Sequence, residues 1–182
     1  EARADSVAEV SATPITCGWC VMINRPEALN ALNLGVVTML HNKVEDLAKR
    51  SAPGQLILGG AGARAFCAGA DIKAIYYQGR EWLDGAQDQD PVQNFFAPEY
   101  ALDKALYHLD KPKTAIMDGI VMGGGFGLAA PCDVRIATEN TVFAMPEVGI
   151  GFFADVGAAY HLKHAPGLLG TYCALSGEKI TH

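Results

Sequence analysis

Residues 143–157 read FAMPEVGIGFFADVG and place two carboxylates, Glu147 and Asp155, in a stretch otherwise made of apolar residues, glycine and one proline. A carboxylate taken out of water without a partner is costly. Acids in such a setting are paired, hydrogen-bonded or kept for chemistry, and two of them together suit acid–base or nucleophilic work. The plainer alternatives are a solvated loop acid and, for Asp155, an N-cap ahead of VGAAYHL. Glu99, in FFAPEY, is a third acid on a stretch of helical periodicity, where an exposed position is an equal alternative.

Two glycine-rich loops supply another kind of chemistry. AFCAGAD (65–71) leads into DIKAI, and MGGGFGL (122–128) leads into a short helical run. Each places unpaired backbone N–H groups at a helix start. Two such ends converging on one point would form an oxyanion hole, although a lone glycine loop is more often only a tight turn. Other chemistries are screened by absence. The third glycine of a dinucleotide fingerprint would fall at 128, which is Leu, and no GxxxxGK[ST] loop occurs. No GxSxG is present, and Ser6, Ser11, Ser51 and Ser176 lie in unpromising contexts. Cys67, inside the first glycine loop, could be a nucleophile, but a packed core thiol is favoured. Cys17 and Cys20 form a CxxC with no second ligand pair for zinc, and the strand-like ITCGWCVMI around them does not suit a redox motif.

The elements that must position these residues follow from periodicity. ITCGWCVMI (15–23) is predicted as a strand. RPEALNAL is a turn and helix start, with Asn30 or Asn33 as the cap. Val37, Leu40, Val44 and Leu47 then recur at helical spacing. Pro53-Gly54 breaks this helix, and QLILGG (55–60) is a short apolar strand. The β-α-β order predicts a parallel pair. EWLDGAQDQDPVQ reads as an exposed loop and NFFAPEYALDKALYHL as a helix. TAIMDGIVM is predicted as one strand, GGGFGLAA as a short helix stopped by Pro131, and DVRIAT and TVFAM as strands. VGAAYHLKHA and LLGTYCALSG look helical. This alternation predicts an α/β fold with helices packed on sheet.

A chain of 182 residues, half of them apolar, is long enough for one domain with a real core. Its 14 basic and 20 acidic residues give a net charge of −6, so nucleic acid and anionic membrane are poor partners. No apolar run is long enough to span a bilayer. Five cysteines, an odd number, fit free thiols in a reducing compartment.

Taken together, NRPEALNAL, AFCAGADI, MGGGFGL and AMPEVGIGFFADVG resemble the crotonase (enoyl-CoA hydratase/isomerase) superfamily from about residue 15 to the end. The resemblance implies a spiral of ββα units, lacking here the C-terminal helical segment. It implies residues 1–14 as an N-terminal tail and 15–182 as the core domain. It also implies an acyl-CoA thioester substrate whose oxyanion is held by the N–H groups of Ala70 and Gly124. Where a hydratase carries a second catalytic Glu, two residues after the triple glycine, this chain has Gly127. PEVGIGFFADVG, FFAPEY and GGGFGL are most similar to the 3-hydroxyisobutyryl-CoA hydrolase branch, except that Ala154 stands where Pro is usual. In that branch, residues matching Glu99, Gly124, Glu147 and Asp155 contact substrate.

The resemblance thus implies Glu147 and Asp155 as catalytic: Glu147 as nucleophile or as base for water, Asp155 as the group that orients the 3-hydroxyl or the water. Phe152, Phe153 and Val148 would keep the site dry. Asp71 is carried with the substrate-binding set, although an N-cap of DIKAI explains it. Lys73 either meets a CoA phosphate or belongs to a solvated face. The expected activity is hydrolysis of 3-hydroxyisobutyryl-CoA in valine catabolism. An enoyl-CoA hydratase/isomerase and a non-catalytic crotonase-fold subunit or fragment are the alternatives. No metal or redox cofactor is expected, CoA being part of the substrate. A homo-oligomer, trimer or dimer of trimers, is expected from the superfamily. So is an intracellular location: mitochondrial matrix in a eukaryote, cytoplasm in a bacterium. Superfamily members continue with further helices that close the pocket, so weak or no activity is expected of these 182 residues alone.

Overall fold

The computed structural model describes residues 8–16, 18–51 and 54–181. The chain alternates between two sheets. One has the order β1 (Val10–Ile15), β2 (Gly18–Ile23), β3 (Gln55–Gly60), β5 (Lys113–Met117) and β7 (Val134–Ala137). The other has the order β4 (Ala65–Cys67), β6 (Ile120–Met122) and β8 (Val142–Ala144). Among these strand pairs only β1–β2 is antiparallel. From β3 onward, each turn of the spiral leaves one strand in each sheet and returns through helix or loop. The expected α/β spiral of the crotonase type is the fold observed.

Two strand boundaries differ from the sequence expectation. ITCGWCVMI is not one strand: Ile15 ends β1, the chain turns, and Gly18 opens β2. The first strand therefore begins at Val10, inside the stretch assigned to the N-terminal tail. Its hairpin partner β2 pairs with it along the full length, Val10 opposite Ile23. Cys17, half of the CxxC, lies outside the described residues; Cys20 is half-buried on β2. TAIMDGIVM also divides, because β5 and β6 belong to different sheets. The step between them is stitched to the matching β7–β8 step. Thr138 and Asn140 donate to Asp118 Oδ1 at 2.6 and 3.1 Å, and Thr141 Oγ1 donates to the Met117 carbonyl at 2.6 Å.

The helices follow the sequence pattern more closely. Asn33, not Asn30, caps α1 (Leu34–Ala48), accepting from Val36 N–H at 2.8 Å. Val36, Val37, Leu40, Val44 and Leu47 form its buried stripe. Helix α2 (Ile72–Leu83) is largely exposed. The loop that follows it is shorter than expected, because α2 absorbs Glu81–Leu83 and α3 (Pro91–His108) starts at Pro91, behind the Asp90 cap. Pro98 sits inside α3 without ending it. Helix α3 packs on α1 through Phe95, Leu102 and Leu106. Short helices α4 (Gly124–Ala129), α5 (Ala158–Leu162) and α6 (Leu169–Ser176) complete the described chain. No helix among the described residues is long and apolar enough to cross a membrane.

Asn30 has a different task from the capping considered for it. It is 0% exposed, donates to the carbonyls of Ala61 and Ala65 at 3.0 and 2.7 Å, and accepts from Arg25 N–H at 2.9 Å. This ties the turn before α1 to the β3–β4 connection. Asn30→Ala should destabilise the fold by roughly 3 kcal/mol, because three polar backbone groups lose their partner and at least one is buried. Urea denaturation of both proteins would measure the difference.

Candidate active site

Loops at the ends of β4, β6 and β8, with one face of α3, enclose a cavity of about 190 Å³. Ala70, Gly124, Glu99, Glu147, Phe152 and Asp155 are among its walls. Ala70 follows β4 and bridges Leu32. That bridge uses the Gly69 carbonyl and the Asp71 N–H, each at 2.8 Å from Leu32. The N–H of Ala70 therefore points to the opposite side. Gly124 is the first residue of α4, and its N–H is one of those a helix leaves unpaired. A Cβ placed on Gly124 would lie 3.6 Å from Ala70 N and would overlap Glu99 Oε1, while one on Gly123 would lie 2.5 Å from Glu147 Oε1. Glycine is what lets this backbone come so close to both acids.

Among the described residues, no Lys, Arg or His lines the cavity with these acids. Glu99 is 1% exposed, and its Oε1 has no hydrogen-bond partner among the described residues. Burial above all, then the charges of Asp103, Asp155 and Glu147, push its carboxyl up to about 8. Glu147 stands in the first turn of a 3-10 segment, Pro146–Ile150, with Oε2 buried and unpartnered. Burial raises it to about 7, with its own backbone N–H opposing and the charge of Asp155 adding. Asp155 is raised by burial, against the hydrogen bond that Tyr100 Oη donates to its Oδ2 at 2.6 Å. It is not an N-cap: Gly157 holds that position on α5. The residue after it, Val156, has φ of 45°, a region that β-branched residues avoid. The backbone carrying Asp155 is thus held by its surroundings, with Val156 packed beside Met145 and Ala158.

Several other expectations resolve differently. Asp71 is not among the cavity walls. Its carboxylate caps α2, accepting from Ala74 N–H at 3.2 Å, and pairs with Arg25 at 3.1 Å. It needs no ligand to be satisfied. Lys73 is exposed on α2. Cys67 is fully buried, and burial pushes its thiol up to about 12, so it stays protonated as a core side chain. Phe152 is a cavity wall, but Phe153 is 63% exposed and Val148 is not part of the lining. Phe96 and Ile150 complete the apolar wall instead.

The acid that sequence reasoning missed is Asp103. It lies four residues after Glu99 on α3, on the same face, and both its oxygens are buried with no hydrogen-bond partner among the described residues. Burial and the charge of Asp155 raise it to about 8. The signal was the i, i+4 spacing of acids in APEYALD. Among the described residues, no group of three His, Cys, Asp or Glu is placed to hold a metal ion.

Carboxyls held near neutral pKa, facing two free backbone N–H groups across a small apolar cavity, can hold a carbonyl oxygen and move protons beside it. The chain is similar to several known proteins. Residues 19–182 match the model of the enoyl-CoA hydratase/isomerase family. The chain is 43% identical over 168 residues to the mitochondrial 3-hydroxyisobutyryl-CoA hydrolase of Xenopus tropicalis, covering 92% of this chain and 42% of that protein. It is 45% identical over 162 residues to the one of Dictyostelium discoideum, covering 88% of this chain and 42% of that protein. The chain therefore spans less than half the length of the curated relatives it matches. A carnitinyl-CoA dehydratase from Mycobacterium thermoresistibile has the same fold, with a TM-score of 0.86 and 40% identity over 95% of this chain and 49% of that one. With the spiral, the paired glycine loops and a family match over nearly its whole length, the chain belongs to the enoyl-CoA hydratase/isomerase family.

Proposed function

We propose that this chain carries the catalytic core of an acyl-CoA thioester hydrolase acting on 3-hydroxyisobutyryl-CoA. The observation that carries this reading is the cavity in which Ala70 and Gly124 N–H face Glu147 and Asp155, while residue 127 offers no second acid. The N–H pair holds the thioester carbonyl oxygen and stabilises the oxyanion as it forms. Contacts of this type contribute roughly 3 kcal/mol per donor to the transition state. Glu147 takes a proton from water as its oxygen bonds to the carbonyl carbon, or attacks that carbon itself to give an anhydride that water then opens. The C–S bond breaks and sulfur leaves as the thiol. Asp155, oriented by Tyr100, accepts from the 3-hydroxyl or the water. Glu99 binds the acyl portion as the buried floor of the cavity.

The names of the two curated relatives support the substrate, and their mitochondrial designation supports a mitochondrial location in a eukaryotic host. No cofactor beyond the CoA of the substrate is proposed. The chain from β1 (Val10) onward is proposed to act as one domain, assembling as trimers or dimers of trimers.

A hydratase is the second reading, favoured by solved structures such as the enoyl-CoA hydratase of Rhodobacter sphaeroides, 31% identical with a TM-score of 0.86. One comparison separates them. The protein carrying this sequence is given 3-hydroxyisobutyryl-CoA and crotonyl-CoA in parallel, with thiol release and loss of the enoyl chromophore as readouts. Thiol release from the first, with crotonyl-CoA untouched, is expected. Water addition to crotonyl-CoA without thiol release would transfer the assignment to the hydratases.

A further inference from the structure

Four aromatic rings stand in an unbroken row beside the site: Tyr100, Phe96, Phe152 and Phe153, with ring centroids 5.8, 5.6 and 4.4 Å apart along it. Tyr100 and Phe96 come from α3; Phe152 and Phe153 come from the loop that carries Asp155. The two inner rings, Phe96 and Phe152, line the 190 Å³ cavity. The two outer rings, Tyr100 and Phe153, line a second cavity of about 530 Å³. Asp155 is a wall of both, so the row and this acid separate a small space from a large one. Phe96 and Phe152 are stacked, with 30° between their planes. Ring pairs of this kind attract beyond the area they bury, so helix and loop hold each other in place here. The hydrogen bond from Tyr100 Oη to Asp155 Oδ2, 2.6 Å long, ties one end of the row to the acid.

In the proposed reaction the thioester carbonyl lies at the N–H groups of Ala70 and Gly124, and Asp155 meets the hydroxyl on the third carbon of the acyl group. The acyl chain therefore runs from the glycine loops toward Asp155, and any further carbon continues into the row of rings. We propose that this row is the stop that sets acyl length, with Phe96 and Phe152 as the specificity-determining side chains. Short 3-hydroxyacyl groups end before the rings; medium-chain ones collide with them. A packed apolar wall resists added methylenes, because making room forces side chains out of their preferred rotamers. Neither residue belongs to the fully buried core: Phe152 is 36% exposed, and Phe96 packs half-buried against the edge of the main cluster. Removing either ring opens the wall and leaves the core intact.

The inference rests on the hydrolase reading for the direction of the acyl chain. Its test compares kcat/KM for 3-hydroxyisobutyryl-CoA and 3-hydroxyoctanoyl-CoA, by thiol release, in the parent protein, Phe152→Ala and Phe96→Ala. The parent is expected to favour the short substrate by about 10²-fold, and each variant to lower that ratio by about tenfold or more. The ratio is the readout because general damage to the fold lowers both rates together. A ratio unchanged in both variants overturns the stop, as does a parent that takes both substrates equally well. A parent that releases no thiol from either sinks the hydrolase reading itself. The stop is then read from binding, as calorimetric Kd values for the same two thioesters. A Kd ratio that shifts toward the long chain in Phe152→Ala supports it, and one that stays constant overturns it.

Discussion

Glu147→Gln should lower kcat for 3-hydroxyisobutyryl-CoA hydrolysis by about 10³-fold, with a much smaller change in KM. The amide keeps the side chain in place beside Gly123 but neither attacks a carbonyl nor accepts a proton from water. General base catalysis by a positioned group is typically worth 10²–10⁴-fold, and nucleophilic attack is lost outright. The burial that holds this carboxyl at about 7 is what fits it for the work, since a base is most effective when its pKa lies near the working pH. Substrate binding draws mainly on the N–H groups and apolar walls, which Gln leaves intact. Thiol release under saturating substrate measures the effect. A variant retaining more than a tenth of the parent kcat would remove Glu147 from the chemistry.

Stability should fall as pH rises from about 5 to about 8, and Glu99→Gln should flatten that slope. Glu99 and Asp103 at about 8, and Glu147 at about 7, are all raised above the ordinary carboxyl range. The native state therefore binds more protons than the unfolded chain between the two sets of values. Stability from a raised acid is fully present below its unfolded pKa and is lost as pH climbs to its folded one. For Glu99, 1% exposed, the loss amounts to a few kcal/mol. Gln mimics the protonated form at every pH, so the variant should match the parent near pH 5 and exceed it near pH 8. Urea midpoints across that range would show it. Parallel slopes for the two proteins would mean that Glu99 is not held protonated by the fold.

The sequence was most legible where local patterns and tertiary placement agree. The stripe of Val37, Leu40, Val44 and Leu47 and the QLILGG strand lie where periodicity put them, and the cap is Asn33, one of the two asparagines offered, because each obeys short-range rules. TAIMDGIVM was misread because nothing local says that Asp118 must bond to Thr138 and Asn140 and split one apolar run between two sheets. Asp71 was legible as a cap, a role decided within one helical turn. Its membership of the site was not, because that depended on Arg25, 46 residues away.

Glu147 and Asp155 stood out from the sequence alone because charge in an apolar stretch is costly wherever the stretch lies. The glycine loops stood out because only glycine allows a backbone to approach so closely. Sequence by itself therefore determined the α/β alternation, the family and two candidate acids, Glu147 and Asp155. The tertiary structure alone decided that Glu99, Glu147 and Asp155 line one cavity with no basic residue among its described walls. It buried Glu99 rather than exposing it, and it put Asp103 into the gap beside Gly127. The reason is that desolvation and charge–charge repulsion depend on distance through space. Residues 99, 147 and 155 lie on a helix, a 3-10 segment and a loop that only the spiral brings to one cavity.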